Sequence, residues 1–267
     1  MSLKDKVVVI TGGSGVLCSE VALQLGRLGA KIALMDINED GLASLLVQMK
    51  NEHIDAMACS CNVLDKEDIL LATNKVVDHF GHVDVLINGA GGNKKEASTS
   101  DAMSFFDIPK DAMEWVFNLN FMGTFLPSQV IGKLFSERGG GNIINISSMN
   151  AFTPLTRIPA YSAAKSAVSN FTQWLAVHMA QEYTPKIRVN AIAPGFLLTE
   201  QNRFLLTDES GGLTKRGHQI IEHTPAGRFG NPEDIVSTVK WLLDPDSEFI
   251  TGIIVPIDGG FSAFSGV

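Results

Sequence analysis

No apolar run in this 267-residue chain approaches the roughly 18 consecutive residues that span a membrane. Thiols are equally scarce. Cys18, Cys59 and Cys61 make an odd set of three, which does not suit a disulfide framework. Cys59 and Cys61 alternate along one apolar run and so share a face of a strand. Buried thiols in a reducing cytosol are expected, rather than a disulfide or a metal site. Positive charge is in deficit, with 21 Lys and Arg against 29 Asp and Glu and a net charge of −8. That balance gives no general attraction to phosphate backbones or anionic lipid, so neither nucleic acid nor membrane is an expected partner. Met1 to Lys6 are polar and lead at once into Val7-Val8-Val9-Ile10, with no room for an apolar signal stretch. A cytoplasmic location is the expectation. No internal repeat, low-complexity tract or Pro-rich linker marks a domain boundary.

What is present is a chain with 45% hydrophobic and 19% charged residues, enough apolar material for a large core. Small molecules become the expected ligands. Short Val- and Ile-rich runs fall at residues 7–11, 32–36, 56–61, 83–88, 142–147, 187–192 and 253–257, with helical patterns between them, including 20–28, 111–136 and 161–183. Near-continuous apolarity is what a parallel strand covered on both faces requires, and the spacers are long enough for right-handed crossovers. The expected fold is α/β: a single-domain Rossmann fold over residues 1–267, a doubly wound seven-stranded parallel sheet with helices on both faces. Residues 195–224 break the alternation after the sixth run. They are expected to form a substrate lid, because ligands bind at the carboxyl ends of such strands.

Gly12-Gly13-Ser14-Gly15-Val16-Leu17 lies between the first run and a helical pattern. Glycines allow a sharp turn and close approach of backbone to a pyrophosphate, whose charge the free N–H groups of a helix start can receive. Asp36 ends the second run about 20 residues further on, where a carboxylate accepts from an adenosine ribose diol and repels a 2′-phosphate. NAD is the expected cofactor. Tyr161 and Lys165 are four apart on a helical pattern and share a face, so the ammonium is expected to lower the phenol pKa and make an acid/base pair.

Together these motifs resemble the short-chain dehydrogenase/reductase family, over essentially the whole chain to Asp258-Gly259-Gly260. There are departures: Val16 and Cys18 stand where the family has its second and third glycines, and Gly89 stands where it has an Asn. The resemblance implies that Asn62 and Val63 border the adenine and that Asn88, Gly89 and Ala90 line the nucleotide. It also implies that Pro194, Gly195 and Thr199 lie at the nicotinamide end, with Tyr161 and Lys165 also touching the cofactor. It assigns the catalytic serine to Ser148, with Ser147 as the adjacent alternative, and a relay water to Asn120, with Asn118 as its competitor. Expected catalytic residues are thus Asn120, Ser148, Tyr161 and Lys165. Asn93, Lys94, Lys95, Arg157, Arg203 and His223 gather toward the substrate end, which suits a substrate with an anionic group, and the resemblance implies a sugar acid. Ser148, Asn150, Arg157, Tyr161, Arg203 and His223 are the substrate-binding candidates. Two other readings stay open: another polyol or sugar-acid dehydrogenase, such as a gluconate 5-dehydrogenase, and a non-catalytic NAD-binding sensor. A homotetramer is expected, because residues 111–136 and 161–183 carry more apolar side chains than one sheet face can cover, and family members pair through these helices.

Overall fold

All five residues of Val7–Thr11 are buried, which a strand achieves only when both faces of its sheet are covered. In the computed structural model, which describes residues 2–199, 206–208 and 211–266, that strand, β1, lies in the middle of such a sheet. It is joined by β2 (Lys31–Asp36), β3 (Ala56–Ser60), β4 (Val85–Asn88), β5 (Gly141–Ile146), β6 (Ile187–Pro194) and β7 (Ile254–Ile257). Every pairing is parallel, in the order β3-β2-β1-β4-β5-β6-β7. The helices among the described residues are α1 (Val16–Arg27), α2 (Glu39–Asn51), α3 (Lys66–Phe80), α4 (Lys110–Arg138), α5 (Pro159–Glu182), α6 (Lys215–Glu222) and α7 (Val236–Leu243).

Alternation along the strands divides the core in two. Val8, Ile10 and Leu34 pack with α1, α2 and α7 on one face, whereas Val7, Val9 and Met35 pack with α3, α4 and α5 on the other. The doubly wound Rossmann architecture follows. Cys18, Cys59 and Cys61 are free and buried within these cores. No described helix is long and apolar enough to cross a membrane.

Most element boundaries shift by one or two residues, the fourth strand for instance beginning at Val85 instead of residue 83, and two of the shifts have a clear local cause. The first helix starts at Val16, earlier than the apolar periodicity from residue 20 indicates, because Gly15 caps it directly after the turn. The sixth strand runs on to Pro194 instead of stopping at residue 192. By then β5 has ended, and Pro194 pairs only with Ile257 of β7, so its missing N–H costs no ladder bond.

The order reverses between β1 and β4. The chain leaves β1 toward one neighbour and β4 toward the other, which opens a crevice at their carboxyl ends. Gly89, after β4, donates its N–H to the Thr11 carbonyl (3.2 Å) and Thr11 Oγ1 (3.2 Å), and Ala90 donates to the same hydroxyl (3.3 Å). The two strand ends are thereby fixed side by side.

Candidate active site

The crevice is lined by Gly12, Gly15, Val16, Leu17 and Cys18 on one side and by Gly89, Gly91, Gly92 and Asn120 below; Ser147, Ser148, Tyr161, Lys165, Pro194, Gly195, Phe196 and Thr199 complete it. Gly12 adopts φ +62°, and a Cβ there would lie 2.8 Å from the Ala90 backbone, so both conformation and space require glycine. Helices α2 and α3 are capped by Asn38 and Asp65 and carry acidic residues in their first turns. The start of α1 has neither a side-chain cap nor an acid. Its amides are left for an anion, which fits a pyrophosphate. Asp36 accepts from Ser14 N (3.0 Å), Ser14 Oγ (2.8 Å) and Asn38 N (3.0 Å). Three of roughly four lone-pair positions are thus filled, leaving room for a ribose hydroxyl. The residues present fit a dinucleotide with an unphosphorylated ribose.

Some expected cofactor contacts point elsewhere. Asn88 is turned beneath the crevice, donating to Ser128 Oγ (2.9 Å) and Asn145 Oδ1 (2.8 Å), while its own Oδ1 is buried without a partner. Its side chain fastens β4 to β5 and α4. The loop that follows it lines the crevice. Asn62 is exposed and accepts from Leu64 N (3.0 Å); Val63 is buried against Gly123, where a Cβ would stand 3.0 Å from the Val63 side chain.

At the other end, Tyr161 and Lys165 project from α5 toward the end of β5. Lys165 Nζ donates to the Ile146 carbonyl (2.8 Å) and lies 5.5 Å from the centre of the Tyr161 ring. Burial pushes the Lys165 ammonium down to about 8, since the charged form loses hydration. Tyr161 is half-buried in the single chain, and desolvation pushes its phenol up, opposed by hydrogen bonding with Ser148. The expected lowering by the ammonium does not appear: burial dominates, and Ser148 is the group that opposes it.

The two serines separate clearly. Ser147 Oγ donates to the Lys165 carbonyl (3.1 Å) and meets Ser169 Oγ (2.7 Å), so its hydroxyl ties β5 to α5. Ser148 is the one that meets Tyr161, and it also accepts from Asn150 N (3.3 Å). Asn118 is exposed and Asn120 fully buried. Both N–H groups of Asn120 are taken by the carbonyls of Gly92 (2.7 Å) and Val116 (2.8 Å), and its Oδ1 accepts from Gly92 N (3.3 Å). It holds the Gly91-Gly92 loop in place. A Cβ on Gly91 would come 2.6 Å from Asn120 Oδ1 and 3.4 Å from Lys165 Nζ, so that loop separates the two side chains by very little.

The substrate candidates are only partly assembled. Asn150 is buried beside Ser148, with Oδ1 unpartnered. His223 is packed between Phe261 (4.6 Å) and Phe264 (5.0 Å), and Arg203 lies outside the described residues. Arg157 reaches the exposed Asp101 at 3.5 Å. Helix α6 packs Ile220 with Met149 and Phe261, which brings that helix over the chain just past Ser148. On that helix is Arg216, whose guanidinium is pushed below its ordinary range by burial and by the charge of Arg157. Sequence reading missed Arg216, whose only signal was a basic residue inside the lid segment. It also missed the Ile146 carbonyl, a main-chain acceptor with no residue-type signal.

Residues 6–210 match the short-chain dehydrogenase family. Over 100% of the chain and 96% of its partner, the sequence is 47% identical to an uncharacterized oxidoreductase of Haemophilus influenzae. It is 34% identical, over 98% of the chain and 97% of the relative, to a 2-dehydro-3-deoxy-D-gluconate 5-dehydrogenase of Escherichia coli. The fold superimposes with a TM-score of 0.93 on a Haemophilus influenza crystal structure, provisionally named a D-mannonate oxidoreductase and solved with bound NAD. That structure is 46% identical, with 100% of this chain and 98% of that one covered. By these likenesses this protein is an oxidoreductase that belongs to the short-chain dehydrogenase family.

Proposed function

We propose that this protein is an NAD-dependent oxidoreductase that interconverts a sugar acid and its keto form, with D-mannonate and D-fructuronate as the pair. The observation that carries the reading is the convergence of Ser148, Tyr161 and Lys165 in the same crevice as the glycine turn, whose Ser14 is hydrogen-bonded to Asp36. The sequence from Pro194 to Phe204 and the ending Gly259-Gly260-Phe261-Ser262 also resemble D-mannonate oxidoreductases of the short-chain type, also called fructuronate reductases. A second reading, oxidoreduction of a gluconate at carbon 5, is favoured by the 34% identical dehydrogenase.

When bound, the dinucleotide supplies or accepts the hydride at its nicotinamide ring. Tyr161 gives its phenolic proton to the substrate oxygen in reduction and takes it in oxidation, while Ser148 hydrogen-bonds the same oxygen. Burial favours the protonated phenol, the form that donates to a keto substrate. Lys165 uses one of its three N–H bonds on Ile146, which leaves two for ribose hydroxyls and for a water that returns the proton. Asn120 fixes the Gly91-Gly92 loop beside that water's path.

The substrate carboxylate is received by Arg157 and Arg216. The Arg216 guanidinium carries the cost of its own burial and of the Arg157 charge, and Arg157 has the fully exposed Asp101 at 3.5 Å as its counter-charge, so a bound carboxylate would offset both. Residues 195–224 act as the lid of one catalytic domain. The enzyme works in the cytoplasm, where its three buried thiols stay reduced. We also propose a homotetramer, built on two separate apolar faces: the α4–α5 face with Trp174 and Val177, and the face with Trp241 of α7 and the fully exposed Phe249.

Oxidation of NADH in the presence of D-fructuronate, 5-keto-D-gluconate and neutral D-fructose tests the substrate class. Turnover should favour an acid over fructose and NADH over NADPH. Arg157→Ala and Arg216→Ala should each raise KM for the acid roughly tenfold to a hundredfold, the loss expected for a charge-assisted hydrogen bond. Fructose turned over as well as the acids, with no penalty from either substitution, would rule out a sugar-acid substrate.

A further inference from the structure

The departures of this sequence at positions 18 and 89 meet in space. A Cβ built on Gly89 would stand 2.0 Å from Cys18 Sγ, well inside the distance at which any atom must move, and 2.9 Å from the Thr11 carbonyl oxygen. Cys18 Cβ would be 3.7 Å away, an ordinary contact. The conflict is therefore with the sulfur itself. Cys18 is buried on the first turn of α1 and lines the crevice together with Gly89, Gly12 and Lys165. Neither partner has an easy retreat. Gly89 is tied through its N–H to the end of β1, and the sulfur is enclosed, with burial pushing the thiol up to about 12.

We propose that Cys18 and Gly89 form a reciprocal size pair that positions the floor of the dinucleotide cleft, the sulfur filling the space that a side chain at 89 would take. Cys18 is thus a positioning residue, and the inference rests on the dinucleotide reading of the crevice. Any side chain added at 89 is transmitted to the glycine turn, because the next residue, Ala90, already abuts Gly12. A Cβ at Gly12 would lie 2.8 Å from both Ala90 N and Ala90 Cα. The turn that receives the pyrophosphate and the loop beneath it are in this way a single packed unit. Cys18 acts by volume and makes no bond to the cofactor.

The test is a double-mutant cycle on Gly89→Ala, Cys18→Ala and the two combined. It is read by NADH fluorescence titration, by steady-state kinetics and by the thermal midpoint of the cofactor-free proteins. Cys18→Ala is the suitable partner because it removes the sulfur and keeps the Cβ at its ordinary distance. Gly89→Ala should weaken NADH binding about tenfold, the scale of an overpacked contact, and raise KM for NADH more than it lowers kcat. Adding Cys18→Ala should restore most of the affinity and of the midpoint, with a residual set by the Thr11 carbonyl. If Gly89→Ala alone fails to fold and the double variant folds, the pair is equally supported. A double variant no better than Gly89→Ala, or a Gly89→Ala protein that binds NADH like the parent, would overturn it. Should the parent not bind NADH, the dinucleotide reading falls, while the thermal cycle still decides whether the two residues are coupled.

Discussion

Lys165 shows how enclosure works on a single group. Its side chain is buried with one main-chain acceptor, and desolvation lowers its pKa from 10.5 to about 8. A depressed ammonium is a stability statement with a definite sign. Below pH 8 both folded and unfolded states hold the proton, and the folded state bears the whole penalty. Between about 8 and 10.5 the folded state has released the proton while the unfolded state keeps it, so stability rises with pH. The change corresponds to about 3 kcal/mol across that window. Urea unfolding of the cofactor-free protein and of Lys165→Met at pH 7.5 and pH 10 isolates this contribution. The wild type should gain on the variant as pH rises, and an unchanged difference would mean that the ammonium is not desolvated.

Among the elements, α4 and α5 carry the most unsatisfied apolar surface. Phe117, Phe121 and Phe125 recur every fourth residue along α4 and continue through Phe171, Trp174 and His178 of α5 as a series of ring contacts. Their inner members pack in the core, whereas Trp174 and Val177 stay more than half exposed. Sedimentation equilibrium should find a species of four 28.7 kDa chains, and Trp174→Glu should reduce it to dimers by charging one of the two faces. A wild type that sediments only as 28.7 kDa would refute the assembly. These helices also mark what local pattern conveys. Their lengths and the Tyr161–Lys165 spacing are periodic features and read directly from the sequence. The use of Ser147 as a strap to Ser169, or the turning of Asn88 under the sheet to Asn145, depends on partners 22 and 57 positions away, to which periodicity is blind.

At the scale of the molecule, the seven strands were legible because each is an apolar run between helical spacers, and a parallel sheet follows from that alternation. The crevice follows in turn from the reversal of strand order between β1 and β4. Less legible was which residue at each strand end faces the crevice, since serine and asparagine suit both a scaffold and a site. The phenol likewise could not be placed from spacing alone: burial by α5 and its surroundings, a property of the whole fold, raises it where pairwise proximity suggested the reverse. The central claim is that this crevice carries out hydride transfer with Tyr161 as the proton donor and acceptor. Its most direct test is Tyr161→Phe, with kcat measured for NADH oxidation on the best keto-acid substrate and NADH affinity measured by fluorescence. The account predicts a loss in kcat of at least about a hundredfold, the lower range for a general acid/base group, with NADH binding nearly unchanged; a Tyr161→Phe protein that turns over like the parent would contradict it.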